Sequence, residues 1–400
     1  MMPAIEGEVR LQPARHARAA ELALALGGFA IGTGEFAAMG LLPNVATGLN
    51  VSVPQAGHVI SAYALGVVVG APLLAVLGAR MSRRALVLAL MGFFALGNIA
   101  STLAPTHHWL VLLRFLSGLP HGAYFGTASL IAVSMAGPNG RAQAVGRVMM
   151  GLTVATLVGT PLATWAGQFL GWRSLFALVA IIGALAVAMI AMFVPADEPD
   201  PEASALRELG ALRKTQLWMT LGIGSIGFGG MFAVFSYITP TLVDVGGLSQ
   251  QAVPFALMVF GAGMILGMMA GGWLADRALM PTICGVLVWN VAVMALFYLT
   301  ASHTWIAVFD VFLVGTGSAL VAPLQTRLMD VAAEAQTLPA ALNHSAFNVA
   351  NALGAWLGGV TIDAGLGWTS TCWVGALLAI GGLVFFVASR ATDTPRQAVA

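Results

Sequence analysis

Twelve apolar runs, each of about 20 residues and so able to cross a hydrocarbon core of about 30 Å, dominate this sequence. The first six lie near 20–43, 55–78, 85–104, 109–134, 143–167 and 172–195. Six more follow near 217–243, 251–275, 281–301, 304–327, 340–362 and 368–389. A backbone inside lipid must satisfy its own hydrogen bonds, so each run is expected to be a helix. The composition agrees: 8% of residues are charged and 59% hydrophobic, where soluble domains carry about 25% charged residues. Mean hydropathy is +0.90. Cys284 and Cys372 both fall inside apolar stretches, which supports neither a disulfide framework nor a thiolate metal site.

A net charge of +1 gives no bias toward nucleic acid, but the placement of the charges orients the chain. Arg10, Arg15 and Arg18 precede the first run. Arg80, Arg83 and Arg84, then Arg141 and Arg147, then Arg207, Arg213 and Lys214, then Arg277, Arg327, Arg390 and Arg396 fall in alternate connections. The opposite connections hold only Arg173. The positive-inside rule therefore places both termini in the cytoplasm. The arginines ahead of the first run could mark a signal peptide, but the length of the run and its eleven successors favour a retained anchor.

The polar stretch "PADEPDPEASALRELGALRKTQ" reads as a linker between two halves. The halves repeat: "GWRSLFALVAIIGAL" from residue 171 recurs as "GWTSTCWVGALLAIGGL" from residue 367, and the same offset carries Trp109 onto Trp305. The expected organisation is a cytoplasmic tail (1–19), a six-helix bundle (20–195), a linker (196–216), a second six-helix bundle (217–390) and a cytoplasmic tail (391–400). Six helices duplicated in one orientation match the parallel repeat of the major facilitator architecture, whose substrate site lies between the halves near mid-membrane.

Glu35, Arg114 and Asp310 are charges set well inside the runs. Glu35 lies eight residues before Pro43, about 12 Å deep, and Arg114 five residues beyond Trp109, roughly 8 Å deep from the same side. By the repeat offset Arg114 corresponds to Asp310, so the duplicated position has opposite sign in the two halves. A charge at a helix centre costs about 2.5 to 3.5 kcal/mol on insertion, so all three are expected to face the interior. One reading is a fixed ion pair that pins helices together. The other is a carboxylate whose burial favours the neutral acid while Arg114 favours the anion, a balance that a substrate can tip.

His121 shares the Arg114 face, seven residues on, as a cavity liner, proton relay or satisfied interior histidine. His344, Asn348 and Asn351 make a second polar stripe, suited to a solute or to interhelical contacts. Tyr63 and Tyr237 join these as candidate cavity residues. Beyond Arg173 at its start the sixth run carries no charge, nor does the twelfth, and the third and ninth offer mainly Asn98 and Asn290, as expected of an outer supporting set. Gly151, Ala155, Gly159, Ala163 and Gly167 in the fifth run, and Gly118, Gly122 and Gly126 in the fourth, mark close helix approaches. Pro161 should bend the fifth helix.

Other motifs carry no function. "GIGSIG" (222–227) matches a dinucleotide fingerprint but sits in a membrane run with no preceding strand. His107 and His108 lack an evident third metal ligand, and Met264 and Met268 are packing residues in a chain with 19 methionines. No nucleophile and base pair, cofactor motif or metal cage stands out, so no enzyme activity, cofactor or metal is expected.

From about residue 20 to 390 the chain resembles a bacterial twelve-helix drug:proton antiporter of the major facilitator superfamily, nearest to the sugar-efflux and chloramphenicol-resistance branch. The passages that carry the likeness are "GTGEFAAMGLLP", "ISAYALGVVVGAPLLAVL", "LRFLSGLPHGAYFG" and "GLTVATLVGTPLATWAGQFLGWR". The resemblance implies an all-α membrane fold of twelve transmembrane helices in two pseudo-symmetric six-helix bundles. It matches Glu35 to the family's first-helix acid and Arg114 to its fourth-helix arginine, both associated with proton coupling. Gly159 and Pro161 resemble the fifth-helix antiporter motif, with Thr160 between them and Ala163 where a glycine is expected. "GARMSRR", with Gly78, Arg83 and Arg84, resembles the gating motif but has Ser82 in place of an aspartate. Its second copy, Gly272 through Arg277, keeps Asp276, so gate contacts are expected to depend more on the second half. The implied function is proton-coupled export of a small molecule (a sugar, a drug such as chloramphenicol, or a related metabolite) by a monomer in the bacterial inner membrane, its partners being substrate, protons and lipid. A proton-coupled importer, or a non-transporting sensor or enzyme, are the alternatives.

Overall fold

The structure, a computed structural model, describes residues 14–78, 81–135, 141–198, 213–332 and 337–392. The two expected tails and the expected linker fall largely outside these residues, as do Arg10, Arg80, Arg207 and Arg396. The described chain is helical and follows the apolar runs. The first half comprises α1 (Ala14–Gly40), α2 (Val53–Gly78), α3 (Arg83–Thr102), α4 (His107–Gly118 with Pro120–Met135), α5 (Arg141–Val154 through Thr160–Leu170) and α6 (Arg173–Phe193). The second comprises α7 (Thr215–Gly227 with Gly229–Ser236), α8 (Val253–Ala275), α9 (Leu279–Thr300), α10 (Thr304–Thr316 through Val321–Ala332), α11 (Thr337–Asp363) and α12 (Ser370–Thr392).

All twelve expected helices are present, and among the described residues ten of them are long and apolar enough to cross a membrane by length and composition alone. The two outside that group are α4 and α11. In α4, Pro120 lacks the N–H that would reach Leu116, and the Leu119 N–H bonds the Leu116 carbonyl instead, which divides the helix. In α11, Asn343, His344, Asn348 and Asn351 dilute the apolar character of a 27-residue helix.

Proline also shapes α5. Thr160 bonds back to the Ala155 carbonyl, five residues earlier, so the turn Ala155–Gly159 is a π-bulge directly ahead of Pro161. The expected bend is thus a local widening.

Each half repeats one packing scheme. Helix α1 lies on α5 and α6, α2 on α4, and α3 on α4 and α6; correspondingly α7 lies on α11 and α12, α8 on α10, and α9 on α10 and α12. Glycines permit the closest crossings: a Cβ on Gly66 of α2 would lie 2.1 Å from the Phe115 carbonyl of α4. At the matching α8–α10 crossing, a Cβ on Gly263 would lie 2.1 Å from the Phe312 carbonyl. Between halves, the main seams are α2 with α11 and α5 with α8, and exchanging the halves exchanges the seams. Exposed apolar residues such as Ile181 and Leu185 on α6 and Leu377 and Val384 on α12 give these helices lipid-facing surfaces.

Basic residues gather at one end of the bundle, with Arg83, Arg84, Arg277 and Arg390 at helix termini. Toward the other, far end the halves are tied together. Ser61 donates to the Ala352 carbonyl at 3.3 Å, Thr239 to the Gly40 carbonyl at 2.9 Å, and Gln168 to the Gln250 carbonyl at 2.9 Å.

Candidate functional site

Glu35 and Arg114 are both buried, 6% and 0% exposed, as the cost of lipid-facing charge requires. They do not form the direct pair that their shared depth allows: no ion pair within 4.0 Å joins them among the described residues. Arg114 instead donates from Nη2 to the carbonyl of Gly34 at 3.1 Å, one residue before the acid. Its guanidinium carbon lies 4.1 Å from the Tyr63 ring centre and 5.4 Å from that of Phe176, two cation–π contacts that hold the charge in an apolar setting. Among the described residues its Nε and Nη1 donors are buried without a hydrogen-bond partner.

The partner of Glu35 comes from the other half. Asn351 on α11 donates from Nδ2 to Glu35 Oε1 at 3.2 Å. Glu35 Oε2 is 3.9 Å from His121 Nδ1 on α4, and the same nitrogen is 3.1 Å from the Tyr63 hydroxyl. Tyr63 therefore touches Arg114 with its ring and His121 with its hydroxyl. The His121 ring lies 5.3 Å from Phe125, which stacks on His344 at 5.8 Å and 6°. One buried cluster thus gathers α1, α2, α4 and α11, with titratable groups aligned from Tyr63 through His121 to Glu35.

The remaining candidates fall elsewhere. Asn348 bonds the His344 carbonyl within its own helix, and among the described residues its Oδ1 has no protein partner. Tyr237 donates to the Ala355 carbonyl at 2.8 Å and packs against Gly57 and Gly359, so its hydroxyl braces α7 on α11. Asp310 is buried and accepts a short hydrogen bond from Thr300 on α9; among the described residues its Oδ1 has no protein partner, and the Thr300 bond does not join it to the Glu35 cluster.

Gly159 is required by packing, since a Cβ there would lie 2.2 Å from Thr33 Oγ1 on α1. Gly78 packs beneath Leu86. Ser82, standing where the gating motif has an acid, caps α3 by accepting from the Ala85 N–H at 3.3 Å. A carboxylate is nonetheless present there: Asp197, beyond α6, accepts from the Arg83 and Arg84 N–H groups at 2.7 and 3.0 Å. In the second copy, Gly272 accepts from the Asp276 N–H, while Arg277 stacks on Trp273 at 3.5 Å and bonds that residue's carbonyl.

Sequence reasoning passed over Glu21, which forms a bidentate pair with Arg147 at 2.6 and 2.7 Å between α1 and α5. It also missed His58, whose ring lies 5.9 Å from His107 in a far-end pocket of ≈ 340 Å³. The acid in the first run was a signal for the former. For the latter no local signal exists.

Residues 24–338 match the family model of the Major Facilitator Superfamily. The chain belongs to that superfamily. Inner membrane transport protein YdhP of Escherichia coli (strain K12) is 39% identical over 371 residues, covering 92% of this chain and 95% of that protein. The chloramphenicol resistance protein of Streptomyces lividans is 31% identical over 373 residues, covering 91% and 94% respectively. A solved bacterial homologue of the human lysosomal transporter Spinster, inward-facing and unoccupied, superposes with a TM-score of 0.76 at 19% identity, over 96% of this chain and all of that one. Major facilitator membership makes this chain a multi-pass membrane transporter of small solutes and not an enzyme.

Proposed function

We propose that this transporter exports a small molecule in exchange for protons, with Glu35 as the proton-carrying group. The observation that carries the reading is the Asn351–Glu35 hydrogen bond, which ties a titratable carboxylate of one half to an amide of the other. Such a contact strengthens when the acid is ionised and weakens when it is neutral. Proton arrival thus changes how tightly the halves hold together. Tyr63 and His121 form the relay that brings the proton, and Arg114 fixes the electrostatic background.

Far-end closure supports a state open toward the basic end. With the positive-inside rule, that end is cytoplasmic, both termini are cytoplasmic and the bundle sits in a bacterial inner membrane. The two bundles, residues 20–195 and 217–390, rock about the cluster as a monomer, and Asp310 serves as a secondary charged site. The name of the Streptomyces lividans relative supports an exported drug such as chloramphenicol; a sugar or related metabolite fits the same mixture of polar and aromatic groups. A membrane potential adds about 2.3 kcal/mol per charge per 100 mV to net charge movement.

The test uses purified protein in liposomes with an imposed pH gradient and labelled chloramphenicol or sugar. The expected result is gradient-driven movement out of the cytoplasm-equivalent side that Glu35→Gln abolishes. Undiminished coupling in that variant removes Glu35 from the mechanism, and movement in the opposite direction makes the protein an importer.

A further inference from the structure

The lipid-facing side of the second half carries a groove of ≈ 670 Å³ between α8, α9 and α10. Leu266 and Leu274 of α8, Pro281 and Trp289 of α9 and Phe312 of α10 form its apolar walls, and Gly285 opens its floor, with nothing within 4 Å of where a Cβ would stand. The polar atoms of the walls are already occupied. Thr282 donates to the Ala278 carbonyl, Thr316 donates to the Leu313 carbonyl, and the Trp289 indole N–H donates to Thr316 Oγ1. Among the described residues one charged side chain lines the groove: Arg277, at its basic end.

Length and charge together define the occupant. From Leu266 to Arg277 the groove follows eleven residues of α8 and its end, about 16 Å at the helical rise, which matches half of a hydrocarbon core of about 30 Å. The groove is therefore one leaflet deep. Arg277 stands where that leaflet meets water, beside the exposed Trp273, a residue type suited to the interface. Arg277 spends one N–H on the Trp273 carbonyl and lays its face on the indole ring. Among the described residues its Nε and Nη2 have no protein partner. Asp276 precedes it on the chain but does not line the groove.

We propose that this groove binds an anionic phospholipid, with an acyl chain against Leu266, Gly285 and Phe312 and the phosphate on Arg277. Basic residues between transmembrane helices at the cytoplasmic face are suited to such headgroups. The site lies outside the Glu35 cluster, and its test does not depend on transport.

Native mass spectrometry of the detergent-purified full chain tests it, with added phosphatidylglycerol, phosphatidylcholine of the same acyl chains, or inorganic phosphate. Wild type is expected to retain one phosphatidylglycerol in preference to phosphatidylcholine. Arg277→Gln should lower that preference about fivefold, the factor that corresponds to about 1 kcal/mol for one basic residue near the surface. Gly285→Leu, which fills the groove, should reduce both lipids, and Gly92→Leu, at an open position on α3, should reduce neither. Equal retention of the two lipids by wild type, displacement by inorganic phosphate, or unchanged binding in both Arg277→Gln and Gly285→Leu would overturn the proposal.

Discussion

Asn351 and Glu35 are separated by 316 residues in sequence and joined by a 3.2 Å hydrogen bond in the structure. The bond runs between halves, so its strength enters the balance between the conformations in which they are apart and together. Hydrogen bonds to charged groups contribute about 1.5 to 3 kcal/mol, a factor of at least ten in an equilibrium. Asn351→Ala should shift the protein away from the far-end-closed state by about that factor. Distances between spin labels across the far end would measure the shift, and an unchanged distribution would separate this bond from the switch.

Tyr63 serves two neighbours with two different parts. Tyr63→Phe keeps the ring on Arg114 and removes the hydroxyl from His121. It should slow the proton-coupled rate about tenfold, below the about 100- to 10,000-fold of a full general acid–base contribution because His121 and Glu35 remain, while melting changes little. Tyr63→Ala should in addition lose about 2 kcal/mol of stability with the cation–π contact and the ring. Equal rates in wild type and Tyr63→Phe would take the hydroxyl out of the relay.

The α2–α4 crossing positions Tyr63 against both Arg114 and His121. A side chain at Gly66 would collide with backbone at Phe115 and Gly118, which cannot move as a flexible side chain can. Gly66→Val should destabilise by about 1 to 3 kcal/mol, whereas Gly92→Val, which meets nothing, should remain within about 0.5 kcal/mol of wild type. Thermal unfolding in detergent compares them. Similar losses at both positions would deny the crossing its special role.

His107 stands at the far-end mouth, outside the apolar spans. Desolvation holds its imidazole below the usual histidine range, the neighbouring His58 and His108 act in the same direction, and the Gln55 carbonyl opposes them. A folded-state value below the unfolded one means that the unfolded chain binds the proton more tightly. The stabilisation is therefore present above about pH 6.5 and is lost as pH falls toward the folded value. Melting temperature should drop on acidification from pH 7.5 to 5.5, and less so in His107→Gln. Identical pH slopes would exclude His107.

The helices were legible because a bilayer imposes a length and a composition on every crossing. Where the signal thinned, in α4 and α11, the cause was the proline and the polar residues that these helices bring to the cluster. The repeat was legible in the two Gly-Trp passages, and contacts within each half follow the same scheme. Depth was readable, but direction around the helix axis was not. That is why Arg114 could be placed level with Glu35 while its actual partners, the Gly34 carbonyl and two aromatic faces, could not. Asn351 was visible as a polar residue of α11; its pairing depends on how the two halves pack together, which no local pattern encodes. Asp310 shows the same limit, since the repeat gave its position but not its attachment to Thr300.

The widened turn of α5 places the Thr156 carbonyl where a Cβ on Gly261 would come within 2.7 Å of it. A glycine in one half and an extra backbone unit in the other therefore form a single fitted joint. Restoring ordinary winding at one would leave a gap, and enlarging the other would force the joint apart. Descendants of the two repeated halves are thus not free to drift separately at this point: a change accepted on one side of the seam sets the terms for the next change on the other.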